Sequence, residues 1–175
     1  MSNRHLLSVC AIAALGLTAL PGATVAQQKS MKDQMVGTWM LLVNDYVKAD
    51  GTHVPAFGPN PSGSVTFTPD GHYSLQIMRA SLPKFASGSR DKGTTDENNA
   101  VVGGIIAHFG TYSVNEADKS LNFRIESSSF PNWSGTLQKR PITALTDDVL
   151  TYTSPNPTVD PSTNVRSELV WRRAK

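Results

Sequence analysis

The downstream part of the chain is built from short segments in which apolar and polar residues alternate. The clearest contains Leu121, Phe123 and Ile125, which alternate with polar neighbours as in a strand with one apolar and one wet face. Turn residues separate the segments, and Pro69-Asp70-Gly71 is the strongest of these turns. The pattern predicts eight strands, over Thr38 to Val47, Ser64 to Thr68, His72 to Arg79, Gly110 to Asn115, Ser120 to Ser127, Ser134 to Arg140, Val149 to Thr153 and Arg166 to Arg173.

Two segments depart from this alternation and predict helices. Ser30 to Met35 begins with Ser30 as N-cap and is short. The second helix is predicted over about 95–109, with Thr95 as N-cap, acidic residues in the first turn and Gly110 after its end. The apolar residues of its predicted face are Val101, Val102, Ile105, Ile106 and Phe109.

The number of strands and the shortness of most connections predict the fold class. Closure into an up-and-down barrel removes exposed sheet edges and leaves room inside for at most one small ligand. We therefore predict an all-β protein, an eight-stranded antiparallel barrel with a short N-terminal helix and one inserted helix. A two-sheet sandwich is the alternative architecture.

The first residues have the composition of a secretory signal peptide. Arg4 precedes an uncharged apolar run from Leu6 to Leu20, and small residues continue up to Ala26. The run is shorter than the roughly 20 apolar residues that span a bilayer. We expect cleavage after Ala26, with Ala23 as the alternative site, a periplasmic or secreted location, and one domain over residues 27–175.

Charge and cysteine content exclude several kinds of partner. The chain has 16 basic and 14 acidic residues and no basic run, so nucleic acid and anionic membranes are poor partners. Cys10, the single cysteine, precedes the expected cleavage site, so no disulfide is expected. The three histidines after that site, His53, His72 and His108, are widely spaced and lack cysteine neighbours, and we expect no metal and no cofactor. The sequence leaves the oligomeric state open.

Two arginines are candidates for ligand recognition. Arg79 has the parity of Tyr73 and Ile77 on its predicted strand, so an inward face would carry its guanidinium into the barrel. There Arg79, helped by Arg140, would recognise a carboxylate or enolate through paired hydrogen bonds. The alternative is a structural ion pair of Arg79 at the barrel rim, with Asp91 or Glu97.

Aromatic residues complete the candidate site. Tyr73 and Tyr112 either line the cavity or belong to the plain core. Ser81 to Gly93 is polar with one aromatic residue, Phe85, and we expect this loop and the following helix, including Phe109, to form a mobile lid with Phe85 as its plug.

Several blocks of sequence resemble a known family. Gly37-Thr38-Trp39 matches the G-x-W that opens lipocalin barrels, and Arg172 supplies the basic residue that stacks on that tryptophan. The remaining blocks are Thr68-Pro69-Asp70-Gly71, Met78-Arg79, Pro83-Lys84-Phe85-Ala86-Ser87-Gly88, Phe109-Gly110-Thr111-Tyr112, Phe130-Pro131-Asn132-Trp133 and Leu169-Val170-Trp171. From about Val36 to Arg173 the chain thus resembles the bacterial and fungal lipocalin-like domain proteins. The resemblance implies a small β-barrel in which Trp39, Arg172 and Trp133 are structural.

Three functions are compatible with these features. The leading one is an exported binding protein for a small apolar or aromatic molecule that carries an acidic or carbonyl group. The alternative is a cofactor-independent lyase, isomerase or cyclase in which His108 serves as acid or base. The third is an interaction protein that uses an apolar patch on the outside of the barrel.

Overall fold

The computed structural model of the protein describes residues 29–154 and 165–175. The predicted signal sequence, residues 1–26, lies outside this part, as does the proline-rich turn predicted from Pro155 to Pro161. In the described part, no helix is both long and apolar enough to cross a membrane.

The strands form one closed antiparallel sheet. The elements in chain order are α1 (Met31–Met35), β1 (Gly37–Val47), β2 (His53–Pro55), β3 (Ser62–Phe67), β4 (His72–Met78), α2 (Thr95–Gly104), β5 (Ile105–Asn115), β6 (Ser120–Ser128), a 3₁₀ turn (Pro131–Trp133), β7 (Leu137–Leu145), β8 (Val149–Ser154) and β9 (Arg166–Arg173). Each strand from β3 to β9 pairs with its neighbour in sequence, and β1 pairs with both β3 and β9. The eight-stranded barrel is confirmed, and β2 is an extra short strand on β1 that the sequence pattern did not predict.

The inserted helix is shorter than the sequence pattern predicted. Its N-cap is Thr94, not Thr95, because Thr94 and Glu97 form a capping box. The helix ends at Gly104, and the segment predicted as its last turn begins β5 instead. The paired glycines weaken the helix there, while β-branched isoleucines suit the ladder that β5 forms with β4. Val102 is 80% exposed, so this residue of the predicted apolar face does not pack on the barrel.

Two irregularities in the ladders shape the inside of the barrel. In β1 the register against β9 shifts between Leu41 and Val43, so the buried odd positions Trp39 and Leu41 are followed by a buried even position, Asn44. This shift turns Asn44 into the barrel. In β5 the register against β6 shifts next to Gly110, where a Cβ would lie 2.1 Å from the carbonyl oxygen of Arg124. Only glycine fits that position.

The helix α1 closes one end of the barrel. The Ser30 hydroxyl accepts a hydrogen bond from the Asp33 backbone N–H, as the predicted N-cap requires. Met35 is fully buried, and the Trp39 indole N–H donates to the Met35 carbonyl at 2.8 Å. The first strand is therefore fixed to the closing helix.

The arginine that stacks on Trp39 is Arg173, and the prediction of Arg172 was wrong. The Arg173 guanidinium carbon lies 4.0 Å from the centre of the Trp39 ring, whereas Arg172 is exposed. The reason is the two-residue period of β9, which places Arg173 on the same face as the buried Trp171. Gly37 has φ of 126° and a Cβ there would lie 3.0 Å from Arg173 Nη1, which explains the glycine of the G-x-W motif.

Arg173 also satisfies backbone carbonyls at the end of α1. Its guanidinium donates to the carbonyl oxygens of Gln34, Val36 and Asp147. The side chain therefore joins the last strand to the helix that closes the barrel. It donates to carbonyl groups at the C-terminus of α1, which have no hydrogen-bond partner within the helix.

We predict that Arg173→Ala lowers the free energy of unfolding by about 2 kcal/mol or more, because it removes charged hydrogen bonds and the stacking on Trp39. The matched control is Arg172→Ala on the outer face of the same strand, which should change stability by less than about 0.5 kcal/mol. Urea unfolding of both variants measures the difference. Equal stabilities would contradict the structural role of Arg173.

Candidate ligand-binding cavity

A cavity opens at the end of the barrel opposite α1. Its lining residues come from β1, β4 to β9, the loop after β2 and the 3₁₀ turn, and they are Asn44, Tyr46, Ala56, Phe57, Leu75, Ile77, Ile106, His108, Phe123, Trp133, Arg140, Tyr152, Ser154, Ser167 and Leu169. The cavity volume is about 80 Å³, about half the ~150 Å³ of an engineered cavity that holds benzene. The interior thus accepts one small group, and a larger ligand extends into the mouth or displaces side chains there.

The lining divides into an apolar wall and a polar wall. We call Leu75, Ile77 and Ile106, on the paired strands β4 and β5, the apolar wall. The polar wall faces it from β7, β8, β9 and β1 and consists of Arg140, Tyr152, Ser154, Ser167 and Asn44. Such a cavity fits a ligand that is apolar on one side and carries hydrogen-bonding groups on the other.

Arg140 is the charged residue of the polar wall. Only 7% of its surface is exposed, and burial lowers the pKa of its guanidinium. Its Nη2 donates to the Gln138 side-chain oxygen, its Nη1 donates to the Lys139 carbonyl, and its guanidinium carbon lies 5.9 Å from the centre of the Trp133 ring. Among residues 29–154 and 165–175, no carboxylate forms an ion pair with it. A buried cation whose partners are neutral is costly, which points to a functional site.

His108 stands beside Arg140 and is paired with Tyr73. The His108 Nδ1 lies 2.8 Å from the Tyr73 hydroxyl, and both side chains are buried. Burial, reinforced by the charge of Arg140, lowers the pKa of His108 to about 3, so the ring is neutral at pH 7. Burial raises the pKa of Tyr73. A neutral imidazole carries one N–H, so with the Tyr73 hydroxyl as the donor to Nδ1 the His108 ring proton lies on Nε2.

The structure brings three of the predicted site residues together and separates four. His108 and Arg140 line the cavity, and the Tyr73 hydroxyl is hydrogen-bonded to His108. Arg79 does not line it, and in the described residues its Nε is buried without a hydrogen-bond partner. The predicted ion pair with Glu97 is not formed, because that carboxylate accepts the backbone N–H groups of Ala86 and Thr94.

Three predicted aromatic residues lie away from the cavity. Tyr112 is at the closed end, where its hydroxyl donates to the Thr68 carbonyl at 2.9 Å. Phe109 is 51% exposed, because it sits on the outward parity of β5. Phe85 packs near Gly93, where a Cβ would lie 2.8 Å from the Phe85 ring.

The sequence pattern missed several lining residues. Phe57 lies in a loop between prolines, where no periodicity marks its direction. Asn44 enters the cavity through the bulge of β1, which is invisible in the alternation of residues. Trp133, which the resemblance suggested is structural, forms part of the cavity wall and contacts His108 edge-on, with ring centres 5.6 Å apart. Tyr152 and Phe123 are missed residues with a signal, because each alternates with buried neighbours on a predicted strand.

Fold and cavity together define the class of this protein, a closed antiparallel barrel with an internal cavity open at one end. The model of the family described as lipocalin-like domain matches residues 36–174. The chain belongs to this family, as its sequence blocks suggested.

Similar proteins include one natural relative and one designed barrel. The 4'-hydroxy-3'-methoxypropiophenone carrier protein ppsC of Aspergillus oryzae is 29% identical over 106 residues, which cover 57% of this chain and 95% of that protein. Among solved structures, a redesigned β-barrel matches with a TM-score of 0.42 and 12% identity, over 83% of this chain and 96% of that one.

The buried, neutral His108 predicts how stability depends on pH. Its folded pKa of about 3 lies below the unfolded value near 6.5, so the unfolded chain takes up a proton first and stability falls as the pH falls below about 6.5. His108→Gln should remove up to ~1.4 kcal/mol per pH unit of this loss between pH 6 and 5. The exposed His72 gives the control variant His72→Gln. Urea unfolding at several pH values measures both, and an unchanged slope in His108→Gln would contradict the burial of a neutral ring.

Proposed function

We propose that this protein binds a small, mainly apolar or aromatic molecule that carries an acidic or carbonyl group. The observation that carries the proposal is the pairing of an apolar wall with buried hydrogen-bond donors in one cavity. The apolar wall offers surface to a ring, while Arg140 and the His108 Nε2–H offer donors to an oxygen. A ligand lacking such an oxygen would remove water from both donors without giving them a new hydrogen-bond acceptor, which costs free energy.

The family relationship supports the same function. The relative from Aspergillus oryzae is named as the carrier of an aromatic ketone. That molecule combines a ring with oxygen acceptors, which is the chemistry that the two walls of this cavity fit. We extend to this chain the class of ligand, an aromatic molecule with an oxygen acceptor.

Binding is favoured over catalysis by proton abstraction. Among the described residues, no aspartate or glutamate lines the cavity. His108 is a weak base, because its pKa is about 3. A cavity that offers donors and a weak base suits holding a molecule better than removing a proton from it.

We further propose that the protein is exported and that Gln27 is the first residue of the mature chain. The support is the sequence pattern of residues 1–26, a basic start followed by an apolar run and small residues. An exported carrier would hold its ligand in the periplasm or outside the cell.

The binding proposal predicts that 4-hydroxyacetophenone, a phenolic aromatic ketone, binds in the cavity. Ile106→Phe should weaken this binding by ~10-fold or more, because the larger side chain fills the small cavity. Its control is Ile105→Phe, one residue away on the outward parity of β5. Isothermal titration calorimetry compares the dissociation constants. Absence of binding to the unmodified protein, or equal affinities of the two variants, would refute the proposal.

The export proposal predicts the mass of the protein recovered from the periplasm of a bacterial host that expresses the full chain. Mass spectrometry should show a chain that begins at Gln27. Leu15→Arg places a charge in the apolar run and should leave the unprocessed chain in the cytoplasm. An unprocessed chain from both versions would exclude the proposed signal peptide.

A further inference from the structure

We infer that Arg140 anchors the ligand and that this ligand is an aromatic oxyanion, a phenolate or a carboxylate. The inference rests on the proposed binding function and narrows it to ligands that carry a negative charge when bound. It assigns the charge to one end of the ligand and the ring to the apolar wall.

The charge of Arg140 is not balanced by its neighbours. Its side chain is more than nine-tenths buried and lines the cavity, yet its hydrogen-bond partners in the described part of the chain are the neutral oxygens of Gln138 and Lys139. A buried cation is stabilised best by an opposite charge within hydrogen-bond distance. An oxyanion in the cavity supplies that charge.

The guanidinium of Arg140 is held in a fixed orientation by its neighbours. Gln138 and Lys139 accept hydrogen bonds from two of its nitrogens, and Trp133 lies beside its planar group. These contacts leave the remaining donors for another acceptor. Because the guanidinium is held in place before the ligand arrives, little side-chain freedom is lost on binding.

His108 provides a second donor for the same oxyanion. We assign the Tyr73 hydroxyl as the hydrogen-bond donor to Nδ1, which places the ring proton on Nε2. In this arrangement Tyr73 is a positioning residue that acts through His108. Neutral His108 donates without adding a second positive charge next to Arg140, which would repel it.

The tyrosines and the histidine around Arg140 do not change charge near neutral pH. Tyr46 on β1, Tyr73 on β4 and Tyr152 on β8 all have pKa values raised by burial. His108 on β5 has its pKa lowered to about 3. The exposed carboxylate of Glu126 on β6 contributes to the raised pKa of Tyr73. The pH dependence of binding near neutrality therefore reports the ionisation of the ligand.

The experiment compares charged and neutral probes of the same shape. The phenolate arm uses p-nitrophenol against p-nitroanisole, and the carboxylate arm uses benzoate against benzamide. Calorimetry at pH 8 should show that the anion of at least one pair binds ~10- to 100-fold more tightly than its neutral partner. The arm with the larger ratio identifies which oxyanion the cavity takes.

The deciding variant is Arg140→Met, with Arg124→Met on the outer face of β6 as its control. Arg140→Met should abolish the preference for the anion and raise the melting temperature of the empty protein, because an apolar side chain replaces a buried charge. Arg124→Met should change neither. Loss of binding with gain of stability separates the removal of an anchor from a failure to fold.

Colour gives an independent readout in the phenolate arm. Binding to Arg140 should lower the pKa of p-nitrophenol, which releases its proton to solvent, so the yellow phenolate persists at lower pH on the protein than in buffer. In Arg140→Met the sign should reverse, since burial without a cation favours the neutral phenol. Tyr73→Phe should weaken anion binding and should change the ¹⁵N NMR signals of His108 from one ring tautomer to a mixture.

Two results would overturn the inference. Neutral and charged probes that bind equally, with Arg140→Met equal to the unmodified protein, would leave the binding function intact and remove the oxyanion. If neither the charged nor the neutral probes bind, and 4-hydroxyacetophenone does not bind either, the proposed function fails together with the inference.

Discussion

Closure of the barrel depends on the contact between its first and last strands at the end covered by α1. Arg173 on β9 lies over Trp39 on β1, and the same guanidinium holds carbonyl oxygens at the end of the helix. Gly37 leaves the space that this arginine occupies. This end is filled by packed side chains and a helix, and the cavity inside the barrel opens at the opposite end.

Two arginines, Arg173 at the closed end and Arg140 at the cavity, differ in their surroundings. Arg173 is half-buried and is matched by three backbone carbonyls and an aromatic face, so its contacts add to stability. Arg140 has neutral partners and lies against a cavity, where its charge opposes stability until a ligand arrives. The fold tolerates this cost because the packed closed end and the hydrogen-bonded ladders stabilise the barrel independently of the cavity.

Much of the fold is readable from the sequence, and the limits have identifiable causes. Alternation and turn residues locate the eight barrel strands, because both are local properties of the chain. The helix end was misplaced because Ile105 and Ile106 fit either period, and pairing with β4 decides between them. The choice of Arg172 over Arg173 failed because the parity of β9 relative to Trp39 depends on register across the closure, which is not local.

The candidate site was predictable only in part, because it too depends on which strands pair and in which register. Arg140 and His108 stood out by their chemistry, but the weight placed on Arg79 assumed that its strand continues inward, whereas β4 ends at Met78. Phe57 and Asn44 enter the cavity through a loop and a bulge, and neither feature has a periodic signature. Tertiary pairing thus decides which chemically suitable residues meet.

The most direct test of this account is a crystal structure of the protein with p-bromobenzoate, located by the anomalous scattering of its bromine. We expect the carboxylate within hydrogen-bond distance of the Arg140 guanidinium and His108 Nε2, with the ring against the apolar wall and the bromine towards the mouth. A bromine found on the outer surface, or a carboxylate that points away from Arg140 into solvent, would contradict the claim that a buried arginine anchors the ligand of this barrel.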